Sequence, residues 1–279
     1  MEKKEIKEKL LQKVFEDALM SKENKYYFQS YEDNLIYKKN NKYSILYSDV
    51  IDELSNGSGK ELQSKFRAIY SSAALCVNSF SFFKRSECIN IPFVNGLLLN
   101  GGLKFESKLS TGISSAKANL DVEINSKNDV VFIESKFLEY YNKSTKLNIS
   151  QKYSSYSNVK QLIDKYKNIK DKCSMDCIKQ LICHFTAINH ALENGEFHDK
   201  NVYLCFLYWS SGMFSEQESD LLDLLESFKE NLDNKPTNPN NIKFIYSTYN
   251  ELYEIWGQSK DAELKSHSQI LKDKYIISI

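Results

Sequence analysis

Two segments near the middle of the chain alternate regularly enough to fix a β-hairpin and both of its faces. They are Leu120-Asp121-Val122-Glu123-Ile124-Asn125 and Val130-Val131-Phe132-Ile133-Glu134-Ser135-Lys136-Phe137, joined by the turn Ser126-Lys127-Asn128-Asp129. If the hairpin closes symmetrically, paired residue numbers sum to 255 and Asp121 lies directly opposite Glu134. Side chains alternate faces along a strand, so Lys136 joins them on one side. The other side reads Leu120, Val122, Ile124, Val131, Ile133 and Phe137, which is a core surface.

The elements around the hairpin follow from period and punctuation. Ile6, Leu10, Leu11, Val14, Phe15, Ala18 and Leu19 make a helical stripe over residues 5–20. Residues 25–50 are dense in tyrosine and fit short strands or an irregular aromatic layer. A turn at Asn56-Gly57-Ser58-Gly59 precedes a helix expected from Lys60 to Phe83. The stretch from Pro92 to Gly102 reads as a loop, and Leu103 to Leu109 alternates as a strand. Helices are expected over 157–171 and from Met175 to Glu193, the second ended by Asn194-Gly195. Asn201 to Trp209 is continuously apolar, as in a strand buried on both faces. A helix from Glu216 to Leu232, a strand from Ile242 to Ser247 and a short helical tail complete the chain. Antiparallel strands followed by helix–strand alternation give an α/β class with a mixed sheet flanked by helices. Residues 1–55 read as a helical and aromatic extension, and 56–279 as one domain.

Composition narrows the function. At 279 residues with 42% apolar content, the chain can bury a large core. Its apolar runs are too short to cross a bilayer, and Met1-Glu2-Lys3-Lys4-Glu5 is not a signal core, so a cytoplasmic protein is expected. Six scattered cysteines favour free thiols. Net charge is zero, yet residues 141–172 carry eight lysines against Asp164 and Asp171. Such a stretch suits phosphate contact, or simply forms a solvated helix face. Arg67 and Arg85 are the only arginines, so bidentate contacts to guanine are scarce. Gly57-Ser58-Gly59-Lys60 lacks the first glycine of a phosphate loop, and Glu61 stands where a magnesium-binding hydroxyl belongs, so it reads as a helix-entry loop.

Opposed Asp and Glu beside a lysine are suited to phosphodiester hydrolysis, because hard divalent ions want carboxylate oxygens. Opposed strand residues have Cβ atoms about 5 Å apart, close enough to share one ion. Asp121 followed by Glu134-Ser135-Lys136 after a hairpin turn resembles the signature of the PD-(D/E)xK nuclease superfamily, which includes type II restriction endonucleases. The order helix–strand–strand–strand–helix–strand over residues 60–210 resembles its core. Ser71 to Phe80 and Ile133 to Phe137 also look like bacterial restriction-endonuclease families within it. Leu120 stands where the superfamily name has proline.

That resemblance implies a fold, a reaction and a site. The fold is a restriction-endonuclease-like core, and the reaction is hydrolysis of DNA by an endonuclease of restriction or phage-defence type. Duplex DNA is favoured over RNA, with Mg²⁺ as cofactor, Mn²⁺ as its substitute, and dimerisation as a way to cut both strands. Asp121, Glu134 and the backbone carbonyl of Ser135 would hold the metal, and Lys136 would be the catalytic lysine. Glu106 is the first choice for an upstream carboxylate, with Glu61 and Glu87 second. Gln180 and His184, one turn apart on the following helix, would contact the carboxylates or a phosphate, or would simply be satisfied at the core edge.

Rival readings each have a discriminating feature. A nucleic-acid-binding module could retain the fold without catalysis, although a degenerate site usually loses one of Asp, Glu and Lys. A carboxylate-pair glycosidase does not need Lys136. Cys173, Cys177, Cys183 and His184 invite a zinc reading, but no second pair stands at an accustomed spacing.

Overall fold

The hairpin forms in the register its alternation dictates. In the computed structural model, Val122 lies opposite Ile133, Glu123 opposite Phe132, Ile124 opposite Val131 and Asn125 opposite Val130. The structure describes residues 2–277 apart from 15–19, 38–44, 56–61, 63, 87, 95–96, 100, 114, 116, 143, 170–173 and 214. In chain order the elements are α1 (Lys3–Leu11), α2 (Ile45–Ser55), α3 (Ser72–Phe80), β1 (Ile89–Ile91), β2 (Leu97–Leu99), β3 (Gly101–Ser110), β4 (Lys117–Ser126) and β5 (Asp129–Lys136). There follow α4 (Ser157–Lys167), α5 (Met175–Glu193), β6 (Asn201–Tyr208), α6 (Glu216–Leu232), β7 (Lys243–Thr248), α7 (Tyr249–Gly257) and α8 (Ala262–Tyr275).

Strands β3 to β7 make one sheet in sequence order. The first three are antiparallel, and β6 runs parallel to both β5 and β7. This is the mixed sheet of an α/β protein, with helices on both faces. On the Val131 and Ile133 face, the Ser135 hydroxyl meets the Tyr249 hydroxyl of α7 at 2.7 Å, and α3 packs on β4 and β5. On the other face α5 covers β3 and β4, with α4 and α6 packed beside it. Strand β6, apolar throughout its interior, is buried from Val202 to Tyr208. Strand β5 is also buried on both faces, so Val130 and Phe132 add an apolar floor to the face that carries Glu134 and Lys136.

Several elements depart from the periodicity reading. The helix expected from Lys60 begins only at Ser72. Asn34 Nδ2 donates to the carbonyls of Phe66 (2.7 Å) and Ala68 (2.8 Å), and Tyr27 bridges to Ala68. The chain is therefore held in a non-helical path until Ser71, whose hydroxyl accepts the Ala74 N–H as an N-cap. Residues 45–55, inside the tyrosine-rich stretch, form α2, in which Val50 and Leu54 are buried one turn apart. The expected 92–102 loop carries β2, which pairs with β1 as a small hairpin. The first helix ends at Leu11, α4 ends at Lys167, and the tail is two helices packed together. The Gly57-to-Lys60 loop, Glu61, Glu87 and Cys173 lie outside the described residues.

The N-terminal segment shares the main core. Ile6, Leu10, Phe28 and Leu35 are buried in it. Asn78 Nδ2 of α3 donates to Asn34 O (2.9 Å) and to the Tyr275 hydroxyl (2.6 Å), so one side chain ties the segment to α8. Among the described residues, no helix is long and apolar enough to cross a membrane.

Candidate active site

The site arises where the sheet opens. The β4–β5 ladder ends at Val122 and Ile133, so Asp121 and Glu134 stand just past its last pair. The N–H of Ser135 donates instead to Asp121 Oδ2, at 2.7 Å. The next carbonyl, that of Lys136, accepts from Trp209 N at 2.9 Å on the β6 side. Backbone polar groups alternate sides along a strand, so the Ser135 carbonyl is directed toward β4 and Asp121.

A third carboxylate stands in the same row. Every β3–β4 pair sums to 227, and the ladder omits only the pair of Glu106 with Asp121. Glu106 has a φ of 54°, the left-handed region that a non-glycine residue in a strand rarely adopts. That conformation removes it from the ladder without shifting register. Its carboxylate accepts from Asn119 Nδ2. Glu106, Asp121 and Glu134 thus lie across three neighbouring strands.

They line a cleft of about 500 Å³ together with Lys136, Glu139 and Gln180. The N-terminal segment, residues 65–70 and the start of α3 complete the lining with Lys3, Tyr27, Lys65, Tyr70 and Ser72. Gln180 is exposed at the rim, whereas His184, one turn further along α5, is buried and reaches the carboxylates.

The charges at the floor form a bonded set. Lys136 Nζ donates to Glu134 Oε1, and His184 Nε2 meets Glu134 Oε2 at 2.7 Å. Glu134 is 1% exposed and Lys136 6%, so the pair is held in a low-dielectric floor under an open cleft. Burial pushes Glu134 up, but Lys136 and then His184 outweigh it and bring the carboxyl down to about 2. Burial pulls the Lys136 ammonium down, but Glu134 outweighs that and leaves its pKa above the ordinary lysine value. Asp121 goes the other way. Burial, and then the Glu134 charge, hold its carboxyl well above the usual range, and Lys136 offsets this only in part.

The sequence-predicted residues Asp121, Glu134, Lys136, Glu106 and Gln180 all line this cleft, and Ser135 is the residue whose N–H closes on Asp121. The reading missed Glu139, whose Oε2 accepts from Phe137 N at 2.7 Å. It also missed Lys3 and Lys65, which no motif spacing connects to the hairpin. The described lysines of the basic stretch, Lys146, Lys152, Lys160, Lys165 and Lys167, are exposed and do not line the cleft. Cys177 is a buried free thiol, and Cys183 is half-buried. Among the described residues, no three His, Cys, Asp or Glu side chains converge as a metal-holding group.

A family model described as restriction endonuclease associating with ARP matches residues 4–276. The chain belongs to this family. For a member of the restriction endonuclease associating with ARP family, the mixed five-stranded sheet with helices on both faces is consistent with a restriction-endonuclease-like core. No curated protein matches the chain, and no solved structure does.

Proposed function

We propose that this chain is a divalent-metal-dependent nuclease of the PD-(D/E)xK superfamily that hydrolyses DNA phosphodiester bonds, as an endonuclease of restriction or phage-defence type. The observation that carries the reading is a buried Glu134–Lys136 pair beside Asp121, at the floor of a cleft open to a polymeric substrate. The family match supports a restriction-type nuclease.

The donor chemistry fits a hard cation. Asp121, Glu134 and the Ser135 carbonyl are all oxygen donors, and Mg²⁺ is commonly held by one or two carboxylates with water and substrate phosphate completing its shell. That economy accommodates a site without three convergent acidic side chains. A bound divalent ion would polarise the phosphate and lower the pKa of a water.

The chain's own groups then have definite tasks. Asp121, held above its usual range by burial and by Glu134, is the carboxyl whose ionised form a cation would favour most. Lys136 keeps its proton, so it acts as a charged donor, suited to a non-bridging phosphate oxygen or to orienting the attacking water. His184 fixes Glu134 from behind through Oε2. Glu106, in the carboxylate row, and Gln180, at the rim of the same cleft, are candidates for positioning water or phosphate.

The rival module reading draws on one feature, that Lys136 and His184 already engage both Glu134 oxygens. Supercoiled-plasmid assays with Mg²⁺ or Mn²⁺ separate the two. Nicking by the wild type that disappears in Glu134→Ala and Lys136→Ala supports the nuclease. DNA binding with no cleavage under either metal favours the module.

A further inference from the structure

The cleft lining is chemically mixed. The hairpin and its neighbours supply Glu106, Asp121, Glu134 and Glu139, whereas the N-terminal segment and the stretch before α3 supply Lys3 and Lys65 with Tyr27 and Tyr70. We infer that Lys3 and Lys65 are substrate-positioning residues that hold phosphates of the nucleic-acid strand on either side of the one lying over the carboxylates. This rests on the nuclease reading of the same cleft, and it gives residues outside the hairpin a task in binding.

Three observations carry it. First, neither lysine is neutralised by contact with an acid. Lys65 is exposed and makes no ion pair among the described residues, and Lys3 donates to the neutral Asn142 Oδ1 at 2.7 Å. Second, Lys3 is half-buried in the cleft lining, and burial together with Lys7 makes its charge harder to hold, which Glu139 offsets only in part. An anion bound there would relieve that cost, whereas solvent does so only in part. Third, a nucleic-acid strand laid along the cleft brings phosphates beyond the one over the carboxylates, and Lys136, held against Glu134 at the floor, reaches only that central one, so the flanking phosphates call for positive charge elsewhere in the lining.

The aromatic groups fit the same occupant. Tyr27 and Tyr70 meet edge to face, with centroids 6.3 Å apart, and Lys7 Nζ lies 3.7 Å from the centre of the Tyr70 ring. Lysines and tyrosine hydroxyls together suit a duplex backbone, because both donate to phosphate oxygens. The exposed lysines of α4 do not line the cleft, so they do not substitute for Lys3 and Lys65 within it.

The test uses the full chain, a fluorescent DNA duplex and Mg²⁺. Initial rates are measured over a range of salt for wild type, Lys3→Gln/Lys65→Gln, Lys3→Arg/Lys65→Arg and a control, Lys235→Gln/Lys260→Gln. The glutamine pair should raise KM about tenfold or more with little change in kcat. It should also flatten the salt slope by roughly 0.9 per lysine, the value for one phosphate contact on duplex DNA. The arginine pair should restore the slope, and the control should match wild type. A glutamine pair with wild-type KM and slope overturns the proposal. If that pair does not fold, Lys65→Gln alone is read, because Lys65 is exposed, and an unchanged slope again counts against the clamp. A wild type that cuts under no metal overturns the nuclease reading instead. The same variants are then compared by fluorescence anisotropy on the duplex. Weaker, less salt-dependent binding in the glutamine pair keeps the clamp, and equal or absent binding removes it.

Discussion

At Glu134, stability and chemistry separate within one side chain. Its oxygens take Lys136 on one side and His184 on the other, in a floor almost closed to water. Removing one member of a buried ion pair leaves an uncompensated charge and costs ~3–5 kcal/mol, while replacing both by apolar groups is often neutral. Glu134→Ala should therefore destabilise the fold by several kcal/mol in urea denaturation. Glu134→Leu/Lys136→Met should recover most of that loss yet nick no plasmid. A double variant as unstable as the single one would show that the pair holds the fold together. Glu106 offers a second contrast. In an ordinary strand, alanine is more favourable than glycine by roughly 0.5–1 kcal/mol. At a φ of 54° the order reverses, because a Cβ in the left-handed region costs ~1–2 kcal/mol. Glu106→Gly should melt at or above Glu106→Ala, with both losing activity. The ordinary order, alanine above glycine, would mean that the residue is not held in that conformation.

At the scale of elements, the first residues of α3 line the cleft, and its start is set by one hydroxyl. Ser71 Oγ accepts from Ala74 N at 3.2 Å. Ser71→Ala should cost ~1 kcal/mol and Ser71→Asp should retain the cap, both measurable by equilibrium denaturation. An alanine variant as stable as wild type would place the start of α3 under the control of tertiary packing instead. That start was not legible from periodicity. Apolar spacing marks residues 60–83 as one helix, but the Asn34 bonds to Phe66 and Ala68 come from a residue 32 and 34 positions upstream. The hairpin was legible because period-two alternation fixes faces and symmetric closure fixes register, with no partner required beyond the two strands. Glu106 was legible only as a carboxylate on the preceding strand; its place against Asp121 comes from the β3–β4 register of the folded sheet. Periodicity says nothing of Lys3 or Lys65, which reach the cleft by the packing of an N-terminal segment. Nor does it distinguish Gln180 at the rim from His184 on Glu134, because both fall on the same side of α5.

At the scale of the whole molecule, a buried histidine ties distant parts of the chain and makes its stability depend on pH. His267 of α8 is 1% exposed. Its Nε2 meets the Ser79 carbonyl at 3.0 Å, so that nitrogen carries the proton, and Nδ1 accepts from the Tyr37 hydroxyl at 2.5 Å. The ring is stacked with Phe82 at 4.7 Å and with Tyr37 at 5.6 Å. The N-terminal segment, α3 and the C-terminal helix therefore meet on one neutral imidazole. Burial lowers its pKa from 6.5 to about 4, against the partial help of the Ser79 bond. The sign follows from which state takes up the proton. Between pH 6.5 and 4 the unfolded chain binds a proton that the folded chain refuses. The stability due to this group is therefore complete above pH 6.5 and is lost as pH falls through that window, by about 3 kcal/mol in all. Urea denaturation at intervals from pH 7.5 to 4 should show that decline in the wild type. His267→Gln, weaker at pH 7.5 because it forfeits the stacked ring, should show a decline shallower by about the same 3 kcal/mol. Parallel curves for the two proteins would mean that His267 titrates alike in both states and that the termini are held by packing alone.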